Sequence, residues 1–393
     1  MRYQAALRPE SRLVDGARVV AFGRSLVNPD TTDTPPEAVT PQLSLLRWLG
    51  PWAGDHATPR AIPREQRLLP TPRGPMRVYR YRPHGEPRGA YLVAPGIHFL
   101  GADDPRFDRF CRILARAGFL VDAPFLPDHV AMKIAATATD DLALAFDALE
   151  REHPPPALFS ISFGSLPAIG LAARSSHAER VGGVVLFGGF CEFRPTLRFC
   201  LTGRATFDGQ ALELPHDPLN APVVWLHLLD LLDLPCDRVV VERALREMVH
   251  RTWGKKELKV RGARDPIAHD IAQHLSPDDR RVFLLGCGLS DDPLPHLEAA
   301  LDGAGDAFAF ADPRPHLPNV RAPLTVVHGR EDDVIPWFEA EKLVAARSGL
   351  PTRKIVTGLY AHTGASLPTP AELVGELTAM VGLLGVLARP TGR

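Results

Sequence analysis

At 393 residues the chain has room for one large domain with an insertion, or for two or three ordinary domains. Its 45% hydrophobic and 23% charged residues are ordinary for a globular protein, and a net charge of -1 gives no electrostatic reason to expect nucleic acid or an anionic membrane as partner. Cys111, Cys191, Cys200, Cys236 and Cys287 are odd in number and lack Cys-x-x-Cys spacing, which argues against a disulfide framework and a structural zinc site and points to a reducing compartment.

The N-terminal segment "MRYQAALRPESRLVDGARVV" lacks the apolar core of a signal peptide. No uncharged apolar run reaches the roughly 18 residues of a membrane span. The expectation is a cytoplasmic protein. Residues 1–63 read as an N-terminal arm in which Leu45, Leu46, Trp48 and Leu49 share one face of a short helix.

From residue 64 the pattern changes. "REQRLLPTPRGPMRVYRYRP" predicts two strands joined by a Pro/Gly turn, and Tyr79 and Tyr81 alternate with Val78, Arg80 and Arg82 as in a strand with one exposed face. "GAYLVAPG" is a short apolar strand closed by a turn. Phe107, Phe110, Leu114 and Ala117 keep helical spacing, and the buried strand "GFLVDAP" follows. "MKIAATATDDLALAFDALEREH" predicts a helix rich in Ala and Leu. "ALFSISFGSLPAIG" then supplies a strand and a helix, and "VGGVVLFGGF" a further strand.

Strands that alternate with helices pair in parallel, and continuous apolar runs mark strands covered on both faces. Residues 191–320 break this rhythm and read as mainly helical; in "NAPVVWLHLLDLLDLP", His227, Asp230 and Asp233 form a narrow polar edge. The alternation resumes with "APLTVVHGREDDVIPWFEAEKLVAARSG", "TRKIVTGLYAHTG" and a helix near 370–388. The fold class is therefore α/β: a doubly wound, mostly parallel sheet with a mainly helical segment inserted between its sixth and seventh strands. The core spans 64–190 and 321–393, and the insertion 191–320.

In such a sheet, ligands bind at the C-terminal ends of the strands. Ser162 follows "ALFSI", Asp332 follows "LTVVHG" and His362 follows "KIVTG", in the order Ser, Asp, His. A serine hydroxyl needs an adjacent base, a histidine supplies it, and a carboxylate orients the histidine. Ser162 is the one serine with glycine two residues on, and Ser160 and Gly164 are small enough for a tight strand-to-helix turn. A helix N-cap is the plainer reading of Ser162, and a solvated turn acid and a loop histidine are those of Asp332 and His362. The remaining histidines show no metal-ligand spacing, and no glycine-rich phosphate loop is present, so no metal and no cofactor are expected.

These motifs resemble the α/β-hydrolase superfamily over about residues 64–190 and 320–390. "SISFGS" resembles its nucleophile elbow, "VVHGREDDVIP" its acid loop, "GLYAHTG" its histidine loop, and "VAPGIHFLG" its oxyanion turn. The resemblance implies a catalytic triad of Ser162, Asp332 and His362. It implies oxyanion donors at the backbone N–H groups of Ile97 (with His98 as alternative) and Phe163, and a cap formed by residues 191–320. Glu192 and Asp333 are alternative acids, and His98 is a candidate substrate contact. The expected activity is hydrolysis of a small-molecule carboxylic ester or thioester with an apolar portion, through an acyl-enzyme. An acyltransferase or carbon–carbon bond hydrolase would use the same triad. A non-catalytic binding protein on the same fold is the reading of another class.

Overall fold

The computed structural model describes residues 40–49, 58–290, 292–347, 349–358, 370–389 and 391. Helix α1 (Pro41–Leu49) is followed by the antiparallel pair β1 (Arg64–Leu69) and β2 (Met76–Tyr81). Next come β3 (Ala90–Ala94), α2 (Pro105–Arg116), β4 (Leu120–Pro124), the short α3 (Pro127–Val130) and α4 (Thr137–Glu150). Then follow β5 (Ala157–Ile161), α5 (Ser165–Ala173) and β6 (Gly183–Phe187).

The chain then leaves the sheet. It forms α6 (Phe193–Thr202), a hairpin of β7 (Arg204–Phe207) and β8 (Gln210–Glu213), α7 (Ala221–Leu228) and α8 (Arg238–Thr252). Helices α9 (Asp265–Ala272), α10 (Pro277–Gly286) and α11 (Leu294–Gly303) complete this helical insertion. The sheet resumes with β9 (Leu324–Gly329), α12 (Glu339–Ala346), β10 (Thr352–Thr357) and α13 (Pro370–Ala388).

The strand order of the large sheet is β1-β2-β4-β3-β5-β6-β9-β10. Strand β2 runs antiparallel to both neighbours, and every other pairing from β4 to β10 is parallel. Each strand sends alternate side chains to two cores. Phe159, Val185 and Val327 join α1, α2 and α13, while Leu158, Leu186 and Val326 join α4, α5 and α12. Burial on both faces explains the unbroken apolar runs; each fully buried leucine or valine contributes about 1.5–3 kcal/mol. Asp104 caps α2 by accepting the N–H groups of Arg106 and Phe107, with Pro105 in the first turn, while Asp103 accepts from the Tyr79 hydroxyl (2.8 Å).

Three expectations need correction. Strand β2 has no exposed face: Arg80 is 1% exposed and forms a bidentate pair with Asp122 on β4 (2.6 Å for both bonds), with Glu152 on its other side. The helix expected from Met132 starts at Thr137, because Met132 takes a left-handed turn (φ 58°) and the Ile134 N–H bonds to His227 instead of propagating a helix. His227 is not on a polar edge. Its Nδ1–H donates to Val223 O (2.7 Å) and its Nε2 accepts from Ile134 N–H (2.8 Å), and α7 ends one residue later. Among the described residues no helix is long and apolar enough to cross a membrane, and no group of three or more His, Cys, Asp or Glu side chains is placed to hold a metal ion.

Candidate active site

Ser162 leaves β5 with φ 52° and opens a 3-10 turn (Ser162–Gly164) that runs straight into α5. A non-glycine residue in the left-handed region costs about 1–2 kcal/mol and persists only where surrounding packing demands it. Here the demand comes from β3, whose Ala94 lies in register with Ser160. A Cβ on Gly164 would stand 2.6 Å from Pro95 O and 2.8 Å from Ala94 O, and one on Gly96 would stand 3.4 Å from Ser162 Cβ. The two turns are pressed backbone to backbone, with Ser160 fully buried beside them. Ser162 is the first residue of the 3-10 turn, whose N-cap position is Ile161, and Gly164 is the N-cap of α5, so Ser162 does not stand where an N-cap would.

His129 builds the facing turn. Its Nδ1–H donates to Pro95 O (3.0 Å), and its own carbonyl accepts from His98 N–H (3.3 Å). Burial pulls this imidazole down to about 4, so it is neutral and can hold that donor. The Pro95 carbonyl and the His98 N–H, on either side of Ile97, are thereby tied, while the Ile97 N–H itself has no hydrogen-bond partner among the described residues. Phe163 lies in the first turn after β5, where N–H groups find no acceptor within the helix. Among the described residues Ile97 N–H is thus left free to donate, whereas His98 N–H is engaged. The His98 ring is engaged too: Nδ1 accepts from Leu100 N–H (3.1 Å), Nε2 faces Asp104 (3.2 Å), and Phe99 stacks on it. Burial lowers its pKa despite the pull of Asp104.

Asp332 reaches the same sheet edge. Ile161, Phe187 and Val327 are in register across β5, β6 and β9; β5 and β6 end at that level, and β9 runs two residues further, to Gly329. Two strand spacings put β5 and β9 about 10 Å apart, which leaves room for an imidazole with a hydrogen bond at each end. Asp332 Oδ1 accepts the N–H groups of Val334 and Ile335 (2.9 Å each). Its Oδ2 faces the backbone of Gly188, where an added Cβ would come within 3.3 Å. His328, wholly buried beneath, lies 3.5 Å from Oδ2 but gives its Nε2–H to Ile335 O at 2.8 Å.

The alternative acids are occupied. The Glu192 carboxylate is held by Arg314 (3.1 Å) and Lys342, while its N–H and that of Cys191 donate to the buried Glu339. Asp333 takes the Lys259 ammonium at 2.6 Å. His362 lies outside the described residues.

Local reading of the sequence missed His129, His328, Glu339 and Lys259. The first two carried a signal, a histidine within or next to an otherwise apolar stretch; the last two carried none.

The apolar core of the insertion extends to this edge. Ile97 belongs to the same cluster as Leu197, Val224, Trp225 and Leu245, and the partly buried Phe163 packs against it. Aromatic rings run on from Phe163 through Phe190 (5.1 Å) and Phe193 to Phe308.

No protein-family model and no curated protein matches the sequence. Among solved structures, the chain is similar to a Pyrococcus horikoshii acylaminoacyl peptidase at 10% identity and a TM-score of 0.43, over 84% of this chain and 41% of that one. A Mycobacterium tuberculosis puromycin-hydrolyzing peptidase gives 12% identity and 0.46, over 84% and 39%. A thermostable carboxyl esterase from Bacillus coagulans gives 15% and 0.40, over 83% and 99%. The chain therefore spans about two fifths of the length of the two peptidases. The fold assignment rests on the chain's own geometry: an eight-stranded sheet with only its second strand reversed, and a strained serine elbow after the fifth strand. This chain has the α/β-hydrolase fold.

Proposed function

We propose that this chain is a serine hydrolase in which Ser162 is the nucleophile, His362 the general base and then acid, and Asp332 the carboxylate that orients His362. The observation that carries the reading is the elbow itself. Ser162 is held at φ 52° against the Pro95–Gly96 turn, as the first residue of the 3-10 turn rather than its N-cap. Asp332 supports it from two strands away, with Oδ1 satisfied by two backbone donors and Oδ2 left toward Gly188. His362 follows the last residue of β10 by five positions, a length of chain that spans at most about 17 Å and so can reach between β5 and β9. Asp332 is preferred to Glu192 and Asp333 because those carboxylates are neutralised by Arg314, Lys342 and Lys259.

In this reading Ser162 Oγ attacks a substrate carbonyl while His362 takes its proton. The N–H groups of Ile97 and Phe163 receive the negative oxygen of the tetrahedral intermediate, a contribution of about 3–4 kcal/mol per donor where one has been removed elsewhere. His362 then protonates the leaving group. Water, deprotonated by His362, cleaves the acyl-enzyme and restores Ser162. The insertion, residues 191–320, acts as a cap, and its apolar cluster beside Ile97 and Phe163 favours an ester or thioester with an apolar acyl portion.

Labelling with a fluorophosphonate probe tests the reading: the native chain forms a covalent adduct and Ser162→Ala does not. An equal or absent adduct in both would overturn it. A panel of aryl esters, thioesters, anilides and diketones, with and without an alcohol acceptor, separates ester hydrolysis from amide cleavage, carbon–carbon cleavage and acyl transfer.

A further inference from the structure

The loop that carries Asp332 is held from two sides. From the core, His328 grips the Ile335 carbonyl. From the insertion, Asp217 N–H donates to Asp333 O (2.7 Å), and the Cys200 thiol on α6 donates to Val334 O (3.1 Å). Lys259 closes the arrangement. It ends a 3-10 turn (Lys256–Lys259), and its Nζ lies 2.9 Å from Asp217 Oδ2 and 2.6 Å from Asp333 Oδ2. The same Asp217 accepts Leu219 N–H on its other oxygen (2.9 Å), which anchors it at the start of the Pro218–Asn220 turn leading into α7.

We propose that Lys259 is a positioning residue: by bridging Asp217 and Asp333 it fastens the insertion to the acid loop and so sets the direction in which Asp332 presents its second oxygen. The proposal rests on the serine hydrolase reading above and gives the insertion a part in the triad's geometry as well as in covering the site.

The physical case is one of burial and adjacency. Asp217 and Asp333 are each 8% exposed, so two carboxylates share one poorly hydrated place and repel unless a cation lies between them. Lys259 is that cation, with a side chain only 17% exposed, so the bridge is not a weak surface pair. Burial draws its ammonium down, and the two carboxylates more than offset this and hold it charged. Asp333 is bonded in sequence to Asp332, and the peptides that cradle Asp332 Oδ1 are those of Val334 and Ile335. A loop displaced at Asp333 or Val334 therefore turns the Asp332 carboxylate. Misplacement by about 1 Å in a catalytic array can cost about 100-fold in rate.

The test compares Lys259→Met and Lys259→Arg with the native chain in three measurements: thermal midpoint, kcat and KM on an aryl ester, and amide hydrogen exchange at Val334 and Ile335. In Lys259→Met, exchange at those two amides quickens about tenfold or more. Its kcat falls about 10- to 100-fold while KM stays within about twofold. Lys259→Arg restores most of both, since a guanidinium can bridge two carboxylates. Unchanged exchange at Val334 and Ile335, or a kcat within twofold of native in a destabilised Lys259→Met, would overturn the proposal and leave the bridge a structural staple. If Lys259→Met does not fold, Asp217→Asn loosens the bridge from its far side and is read in the same way. A native chain without a Ser162-dependent adduct would sink the hydrolase reading instead, and the exchange measurement would still report on the loop.

Discussion

Replacing Gly164 by alanine puts one methyl group where the Ser162 turn meets the Pro95–Gly96 turn. The new Cβ would stand 2.6 Å from Pro95 O, 2.8 Å from Ala94 O and 3.0 Å from Pro95 C, all backbone atoms. Carbon–oxygen contacts are comfortable at about 3.3–3.6 Å, so the overlap is well over half an ångström and no rotamer change relieves it. Overpacking of this kind costs about 3 kcal/mol, at the upper end of the usual range because the end of β3 must move. Gly164 has ordinary helical angles (φ -62°, ψ -15°), so alanine returns about 0.5–1 kcal/mol by restricting the unfolded chain. The net expectation is a loss of about 2 kcal/mol in urea unfolding. Fluorophosphonate labelling slows at least tenfold, because the displaced turn carries Ile97. Gly385→Ala is the matched control. It lies inside α13 with nothing within 4 Å of the added Cβ, and should gain about 0.5–1 kcal/mol. A Gly164→Ala chain as stable as the native one, labelling at the native rate, would refute the close approach of the two turns.

The strain at φ 52° predicts that Ser162→Gly is more stable than Ser162→Ala by about 0.5–1 kcal/mol although neither labels; equal urea midpoints would argue against strain at the elbow. His129 and His227 are both held neutral by burial, with pKa values of about 4 against about 6.5 in the unfolded chain. The unfolded chain therefore binds protons first, and stability falls as pH drops from about 6.5 toward 4, by about 1.4 kcal/mol per pH unit for each histidine. Urea midpoints at pH 7, 6 and 5 should show this slope in the native chain and a flatter one in the His129→Gln/His227→Gln variant; identical slopes would assign the effect elsewhere. Glu339→Ala leaves the N–H groups of Cys191 and Glu192 without their acceptor at a buried position and should cost about 3 kcal/mol, read from the same unfolding curves. A loss below about 1 kcal/mol would show that water replaces the carboxylate there.

Short-range physics made much of this protein legible from its residues. Strands covered on both faces must be apolar throughout, so "ALFSI", "GVVLF" and "LTVVHG" announced themselves, and the helices between them required parallel pairing. The elbow was legible for the same reason: a tight strand-to-helix turn tolerates only small neighbours, and Ser160 and Gly164 are small. Long-range pairing was not legible. Alternation of Tyr79, Arg80 and Tyr81 along β2 suggests an exposed face, but Asp122 and Glu152, remote in sequence, draw Arg80 inside. Three acids near strand ends were equivalent as letters. Arg314 and Lys342 beside Glu192, and Lys259 beside Asp333, set those two apart from Asp332. Periodicity and backbone sterics act within a few residues and leave their mark on local sequence. Which carboxylate meets which cation depends on segments tens to a hundred or more positions away, and only the folded chain brings them together.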